Sequence, residues 1–385
     1  MSGVTSPEGF VAAGVACGIK ASGDPDLSLV ATADGRPVVA AAVFTSNLAT
    51  AGPVNVSRAH LTATSGRAAA VVLNSGCANA ATGATGDADA ERMCALVAAH
   101  LGCADDEVLV CSTGLIGYYL PMAAVESGIP ALVAARRPDG GPAAAHAIMT
   151  TDTVPKEISI TVNGYTVGGM AKGAAMLAPD MATMLAVLTT DAVADPDLLL
   201  GQLREAVAAS FNLLVVDGCT STNDTVIVLA NGRSGQPLET SALTEACTEL
   251  AEQMAADAEG ATKLARIRVH GAASDDDARR AARKVAESQL VQCSLFGEDP
   301  YWGRIVSELG SSGAAFDAGL VSVSYGDVEV CREGIAADHN AAAVAAHMAG
   351  RHVEITADLG LGAGRAAMLF TDLTPAYIDE NRGTS

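Results

Sequence analysis

The chain has 385 residues, of which 50% are hydrophobic and 3% aromatic, and its 23 basic against 44 acidic residues give a formal charge of −21. That charge argues against nucleic acid or an anionic membrane surface as partner, and no apolar run reaches membrane-spanning length, so the composition describes a soluble globular protein of one or two domains. The core has to be built from Ala, Val, Leu and Met, and the nine cysteines, without C-x-x-C spacing, read as small reduced core residues rather than bridges or zinc ligands.

The N-terminus, Met-Ser-Gly-Val-Thr-Ser-Pro-Glu, shows neither the basic nor the apolar part of an export signal, which predicts a cytoplasmic protein. From there short Val/Ile-rich runs bounded by Gly or Asn alternate with Ala-rich helical patterns. Strands are predicted at Val38–Thr45, Ala69–Leu73, Val108–Cys111, Ile158–Val162 and Tyr165–Gly168, the last two joined by Asn163-Gly164, a type I′ hairpin signal. A small-residue loop over Gly168–Met181 follows. Later strands are expected at Met184–Leu188, Val226–Ala230, Ala265–His270, Val321–Ser324, Val328–Cys331, Val353–Ala357 and Ala366–Phe370. Helical periodicity marks Ala90–Leu101, Pro196–Phe211, Leu243–Ala256, Asp275–Ser288 and Ala341–Met348. Strand pairs such as Val321–Ser324 and Val328–Cys331 flank tight turns, so the fold class is α/β, with a mixed, largely antiparallel sheet core flanked by helices.

The loop ends where Lys172-Gly-Ala-Ala-Met-Leu-Ala-Pro-Asp-Met-Ala-Thr183 meets the apolar run Met184-Leu-Ala-Val-Leu. Taken alone, such a junction is an ordinary loop-to-strand transition. It also suits self-cleavage between Ala182 and Thr183, because a hydroxyl at the head of a rigid strand, after a small residue in a flexible loop, can attack the carbonyl just before it. Cleavage would leave Thr183 with a free α-amine of pKa roughly 8, able to act as base for its own weakly acidic hydroxyl.

Five other segments accompany the junction: Asn74-Ser-Gly-Cys-Ala-Asn-Ala-Ala-Thr-Gly83, Ser112-Thr-Gly-Leu-Ile-Gly117, Thr150-Thr-Asp-Thr153, Ser221-Thr-Asn-Asp-Thr225 with Asp257-Ala-Glu-Gly260, and Gly297-Glu-Asp-Pro-Tyr-Trp-Gly-Arg304. In order and spacing this set resembles the ornithine acetyltransferases of arginine biosynthesis, also called glutamate N-acetyltransferases, from Gly9-Phe10 to Asp379-Glu-Asn381. The resemblance implies a precursor that cuts itself into an α chain, residues 1–182, and a β chain, residues 183–385, whose strands jointly form the sheet core with the new strand central. It implies acetyl transfer from N-acetyl-ornithine to glutamate through acetyl-Thr183, with no cofactor, although the family contains members that also accept acetyl-CoA as donor. It further implies pairing of the two chains, as an α2β2 heterotetramer or larger.

Residue by residue, the resemblance implies Thr183 as nucleophile, the Thr113 hydroxyl and Gly114 backbone N–H as oxyanion donors, and Thr150, Lys172, Thr183, Glu259, Asn381 and Ser385 as substrate contacts. These types suit an amino acid: a lysine meets an α-carboxylate, a glutamate an ammonium, and Thr and Asn the remaining polar atoms. Singly, Lys172 reads as a solvated loop lysine and Glu259 as a helix-end acid before Gly260. The sequence departs from the family at Tyr301, where the pattern has asparagine, and at its end, Asn381-Arg-Gly-Thr-Ser385, one residue shorter and lacking a tyrosine. A paralogous acyltransferase of a specialised pathway, and an amidase or aminopeptidase in which water resolves the acyl-enzyme, use the same chemistry. A third reading is an uncleaved protein that binds an amino acid. Gly360-Leu-Gly-Ala-Gly364 precedes a strand and reads as a turn rather than a dinucleotide loop, and His146, His339, His347 and His352 lack ligand spacing, so no metal is expected.

Overall fold

A computed structural model describes residues 3–176 and 184–383. The expected cleavage pair Ala182 and Thr183, and the terminal Ser385, lie outside the described residues. The described chain forms two compact units, one made of residues up to 176 with 184–212 and 219–254, the other of 213–218 and 255–383.

The first unit holds two sheets. One has the order Phe10–Val15, Leu27–Thr32, Ala70–Cys77, Val108–Leu115, antiparallel except for the parallel last pair. The other has the order Arg67–Ala68, Val38–Phe44, Thr225–Ala230, Leu185–Thr190, Tyr165–Lys172, Lys156–Val162, antiparallel except where Thr225–Ala230 meets Leu185–Thr190. Strand alternation decides the layering. Val71, Leu73, Leu109 and Cys111 of the first sheet share a core with Met170, Leu185, Val187 and Ile227 of the second, while Ala70, Val72, Val108 and Val110 face the helices Gly52–Ala63, Gly83–Leu101 and Met122–Ala134 through Val56, Met93, Val97 and Ile129. On the far side the helix Pro196–Ala208 packs on Val38–Phe44, and Leu250 of the helix Thr240–Ala256 lies over Gly169. The unit is thus a helix–sheet–sheet–helix stack. The strand after the junction, Leu185–Thr190, is interior to its sheet, between strands that precede and follow the junction, as expected.

The second unit is a seven-stranded sheet in the order Leu214–Val215, Gly364–Thr371, Leu264–Ala272, His352–Asp358, Ser322–Tyr325, Val328–Arg332, Ile335–Ala336. Ala265, Ile267, Val269, Val353 and Ile355 face a core shared with Ala281, Val285, Ile305 and Met348 of the helices Asp275–Ala286, Trp302–Ser311 and Ala341–Ala349. The helix Asp275–Ala286 starts under the Ser274 side chain, which accepts from Asp277 N, with Asp275, Asp276 and Asp277 in its first turn and Arg283 and Lys284 in its last; cap and charges both complement the helix dipole.

The fold class matches the expectation, and the Asn163-Gly164 hairpin forms with both residues at positive φ, 49° and 83°. Three findings differ from the sequence reading. The expected loop starting at Gly168 begins as strand, because Gly168–Lys172 continue the ladder between Ser159–Lys156 and Thr189–Leu185. The strands Phe10–Val15 and Leu27–Thr32 and the helices Gly52–Ala63, Met122–Ala134, Gly141–Ala147, Gln289–Phe296, Trp302–Ser311 and Pro375–Glu380 were not anticipated; several carry proline in the first turn or, as Pro130, inside, a residue that punctuates local patterns. Of the nine free cysteines, Cys219 and Cys293 are exposed rather than in the core.

Candidate active site

The strand Val108–Leu115 runs parallel to Ala70–Cys77, and at its end the register slips around Gly76 and Cys77. Gly114 there has φ 129°, and a Cβ would lie 2.3 Å from the Gly76 carbonyl carbon, so only glycine fits. Ser112 Oγ donates to Asn74 Oδ1 at 2.6 Å, and Asn74 Nδ2 donates to the Cys77 carbonyl at 2.8 Å. Both side chains are fully buried, and their mutual satisfaction pins the strand ends that carry Thr113 and Gly114.

The segment Ser221–Thr225 closes on this end. Asn223 Nδ2 donates to the Ala78 carbonyl at 2.6 Å and to the Ser112 carbonyl at 3.0 Å, and the Thr45 hydroxyl donates to the Ser221 carbonyl at 2.7 Å. The next residue, Asp224, accepts the Met184 N–H on Oδ1 at 2.8 Å. Asn223 and Asp224 thereby connect the Thr113–Gly114 strand end to the start of the strand that follows the junction. Burial pushes the Asp224 carboxyl well above the usual carboxylate range, and hydrogen bonds from Met184 and Ser221 and the Lys172 charge offset this only in part.

A second buried cluster gathers around Asp152. Lys156 Nζ donates to Asp152 Oδ1 at 2.6 Å with both side chains fully buried, and Lys172 Nζ lies 3.9 Å from Oδ2. The Gly173 N–H donates to Oδ1 at 2.8 Å and the Thr150 N–H to Oδ2 at 3.0 Å. Burial pushes this carboxyl up, but the Lys172 and Lys156 ammoniums and the hydrogen bonds from Lys156 and Gly173 outweigh it and bring it down to about 2. Lys172 is therefore no solvated loop lysine. It is 3% exposed, at the end of Tyr165–Lys172 opposite Leu185.

In the second unit Asn381 Nδ2 donates to Glu259 Oε2 at 2.7 Å and to the Tyr377 carbonyl at 2.9 Å. The helix Pro375–Glu380 is capped by Thr374, whose hydroxyl also donates to the Gly260 carbonyl at 2.8 Å, fixing the C-terminal helix to the turn that carries Glu259. Tyr301 is 57% exposed beside Arg304, which stacks on its ring at 5.9 Å and pairs with Asp299 at 3.4 Å. Among the described residues no group of three or more His, Cys, Asp or Glu could hold a metal ion, and no helix is long and apolar enough to cross a membrane.

Thr113, Gly114, Thr150 and Lys172 thus belong to the first unit, the last two joined through Asp152, and Glu259 and Asn381 meet in the second. Sequence reasoning quoted the segments that hold Asn74, Asp152, Asn223 and Asp224 but gave these residues no role of their own, and it did not single out Lys156. For Asn74, Lys156, Asn223 and Asp224 a signal was present as polar residues at or next to the ends of apolar strands, since a polar residue in such a place is buried and must find a partner.

The ArgJ family model matches residues 11–383. The curated "Arginine biosynthesis bifunctional protein ArgJ" of Thermobifida fusca is 47% identical over 386 residues, covering 99% of each chain. Proteins of the same name from Mycobacterium tuberculosis (47%, covering 100% of this chain and 96% of the relative) and Streptomyces avermitilis (45%, 99% of each) are similar along their whole length. Among solved structures, an ornithine acetyltransferase complexed with ornithine from Mycobacterium tuberculosis is 49% identical over 46% of this chain and 95% of its own, with a TM-score of 0.44. The ArgJ structure from Bacillus halodurans is 33% identical over 51% and 97%, with a TM-score of 0.49. With identity of this order running through nearly every element described above, the chain belongs to the ArgJ family.

Proposed function

We propose that the protein is a self-cleaving acetyltransferase that moves the acetyl group of N-acetyl-ornithine to glutamate through an acetyl-Thr183 intermediate, and that it also makes N-acetyl-glutamate from acetyl-CoA. The observation that carries this reading is full-length kinship with proteins named as bifunctional in arginine biosynthesis. The geometry supports it, because the Thr113–Gly114 strand end is tied through Asn223 and Asp224 to Met184, the residue after the nucleophile.

In this reading the Thr183 hydroxyl attacks the acetyl carbonyl, and the Thr113 hydroxyl and Gly114 N–H hold the oxyanion. The C–N bond breaks as ornithine leaves with a proton on its amine. Glutamate's amine then attacks acetyl-Thr183 and restores the hydroxyl. Thr150, Lys172, Thr183, Glu259, Asn381 and Ser385 are the substrate contacts of this reading, and the transfer uses no cofactor. The fragments 1–182 and 183–385 stay paired and assemble as α2β2 in the cytoplasm.

Purified protein supplied with N-acetyl-ornithine plus glutamate, and separately with acetyl-CoA plus glutamate, tests the reading. Parallel initial-rate lines in the first assay are expected, since a covalent intermediate separates the substrates. Release of acetate without N-acetyl-glutamate would instead identify a hydrolase. Scattering masses would check the assembly.

A further inference from the structure

We infer that Lys20 is the cation that takes the side-chain carboxylate of glutamate, an inference that rests on the acetyl-transfer reading above. Glutamate carries two carboxylates, whereas N-acetyl-ornithine carries one carboxylate and a side-chain amine. The substrate contacts of that reading include a single cation, Lys172, which meets the α-carboxylate that both molecules share; the others are neutral or, in Glu259, acidic. Glutamate therefore calls for a second cation. Lys156 does not serve, since Asp152 holds it with both side chains fully buried.

Lys20 stands at the strand end that presents Thr113 and Gly114. Gly76 is the register partner of Gly114, and a Cβ on Gly76 would lie 3.1 Å from Lys20 Cγ and 3.2 Å from Ile19 Cγ2, so the lysine stem lies against Gly76. On the neighbouring strand Leu27 pairs with Asn74, and the Ser75 N–H donates to the Asp26 carbonyl at 2.9 Å, which brings Pro25 level with Gly76. Lys20 Nζ donates to the Pro25 carbonyl at 2.9 Å. Stem and ammonium thus both border Gly76, one strand away from Gly114.

The loop that carries Lys20 is built around one carboxylate. Asp26, fully buried, accepts the Cys17 N–H on Oδ1 at 2.7 Å and the Gly18, Ile19 and Lys20 N–H groups on Oδ2 at 3.0, 2.6 and 3.0 Å. Burial pushes its carboxyl up, but the hydrogen bonds from Cys17, Lys20 and Ile19 outweigh it and hold it below the ordinary carboxylate range. The aspartate charge is thereby spent on the backbone, which fixes the loop, while the Lys20 ammonium gives one of its three donors to a neutral carbonyl. Burial also pushes that ammonium below the ordinary lysine range, against the pull of Asp26, Asp24 and Asp152, and Lys172 adds to the push. Lys20 therefore shares the electrostatic neighbourhood of the Asp152–Lys172 cluster, and a partly desolvated ammonium there gains from a carboxylate ligand.

The test compares glutamate with glutamine, which keeps the α-carboxylate and replaces the other by an amide, as acceptors from N-acetyl-ornithine. Lys20→Met should raise KM for glutamate by about 10–100-fold, the range of a hydrogen bond to a charged group, and should lower the preference for glutamate over glutamine by a similar factor. Lys20→Arg, which keeps the charge, should retain most of that preference. A structural role for Lys20 would instead weaken glutamate, glutamine and N-acetyl-ornithine together; that result, or an unchanged preference, would overturn the inference. A second measurement uses the wild-type protein alone. Reductive methylation followed by peptide mass spectrometry should be slowed at Lys20 by N-acetyl-glutamate, which carries both carboxylates, and less so by N-acetyl-glutamine; equal protection, or none, would also overturn the assignment. If the wild-type protein transfers no acetyl group to glutamate, the acetyl-transfer reading itself fails, so the two failures are distinct.

Discussion

Lys156 Nζ and Asp152 Oδ1 are 2.6 Å apart with neither side chain exposed, and Asp152 reaches onward to Lys172 through its other oxygen at 3.9 Å. A buried pair of this kind contributes little over an apolar replacement of both partners, yet removing one partner strands a charge. Lys156→Met in an uncut Thr183→Ala background should therefore lower stability by about 3–5 kcal/mol in a denaturant titration. A loss below about 1 kcal/mol, the range of exposed pairs, would mean that solvent reaches Asp152.

The same carboxyl sets an acid limit. Its native pKa of about 2 lies below the ordinary 3.8, so its stabilisation is complete above the unfolded value and is lost as pH falls through the native one. The shift corresponds to about 2 kcal/mol. Denaturant midpoints should fall between about pH 5 and pH 2, and Asp152→Asn should flatten that limb. Asp224 has the opposite sign: its raised pKa gives stability that is present at acid pH and lost as pH rises through the native value. Asp224→Asn should therefore remove a loss of stability that sets in as pH rises above the ordinary carboxylate range.

Thr113→Ala removes one of the two proposed oxyanion donors and should lower kcat by about 10²–10³-fold with the fold intact. Gly114→Ala should act differently. Its Cβ meets the Gly76 carbonyl carbon at 2.3 Å at a φ of 129°, so unfolding as well as turnover should suffer. Comparing melting temperatures of the two variants separates them, and a Gly114→Ala protein as stable as wild type would show that the strand end relaxes.

Asn381 bridges Glu259 and the Tyr377 carbonyl. Losing a hydrogen bond to a charged partner is worth about 1.5–3 kcal/mol, and Asn381→Ala should raise KM for the amino acid substrates by about tenfold or more while self-cleavage, followed on a denaturing gel, runs to completion. Deleting Arg382–Ser385 should also raise KM and broaden the choice among glutamate, glutamine, aspartate and lysine as acceptors. An unchanged KM and acceptor ranking after the deletion would remove Ser385 from the proposed site.

By itself the sequence determined what is local. The continuous apolar run at Val38–Phe44, the Asn163-Gly164 turn and the helical period of Asp275–Ala286 specify their elements within a few residues, because β propensity, side-chain periodicity and φ preferences act between near neighbours. Family motifs drew attention to the Ser112–Gly117, Thr150–Thr153 and Ser221–Thr225 segments. Tertiary structure decided the rest. A period of two says that Val71 and Val72 face opposite ways, but both faces are apolar, and only packing sends one to a second sheet and the other to helices. Likewise the Asn223–Ser112 bond spans 111 residues of chain and the Asp152–Lys172–Lys156 cluster forms where separate backbone segments cross. Those partners are chosen by the need to satisfy polar groups after burial, a demand that exists only once the chain has folded around them.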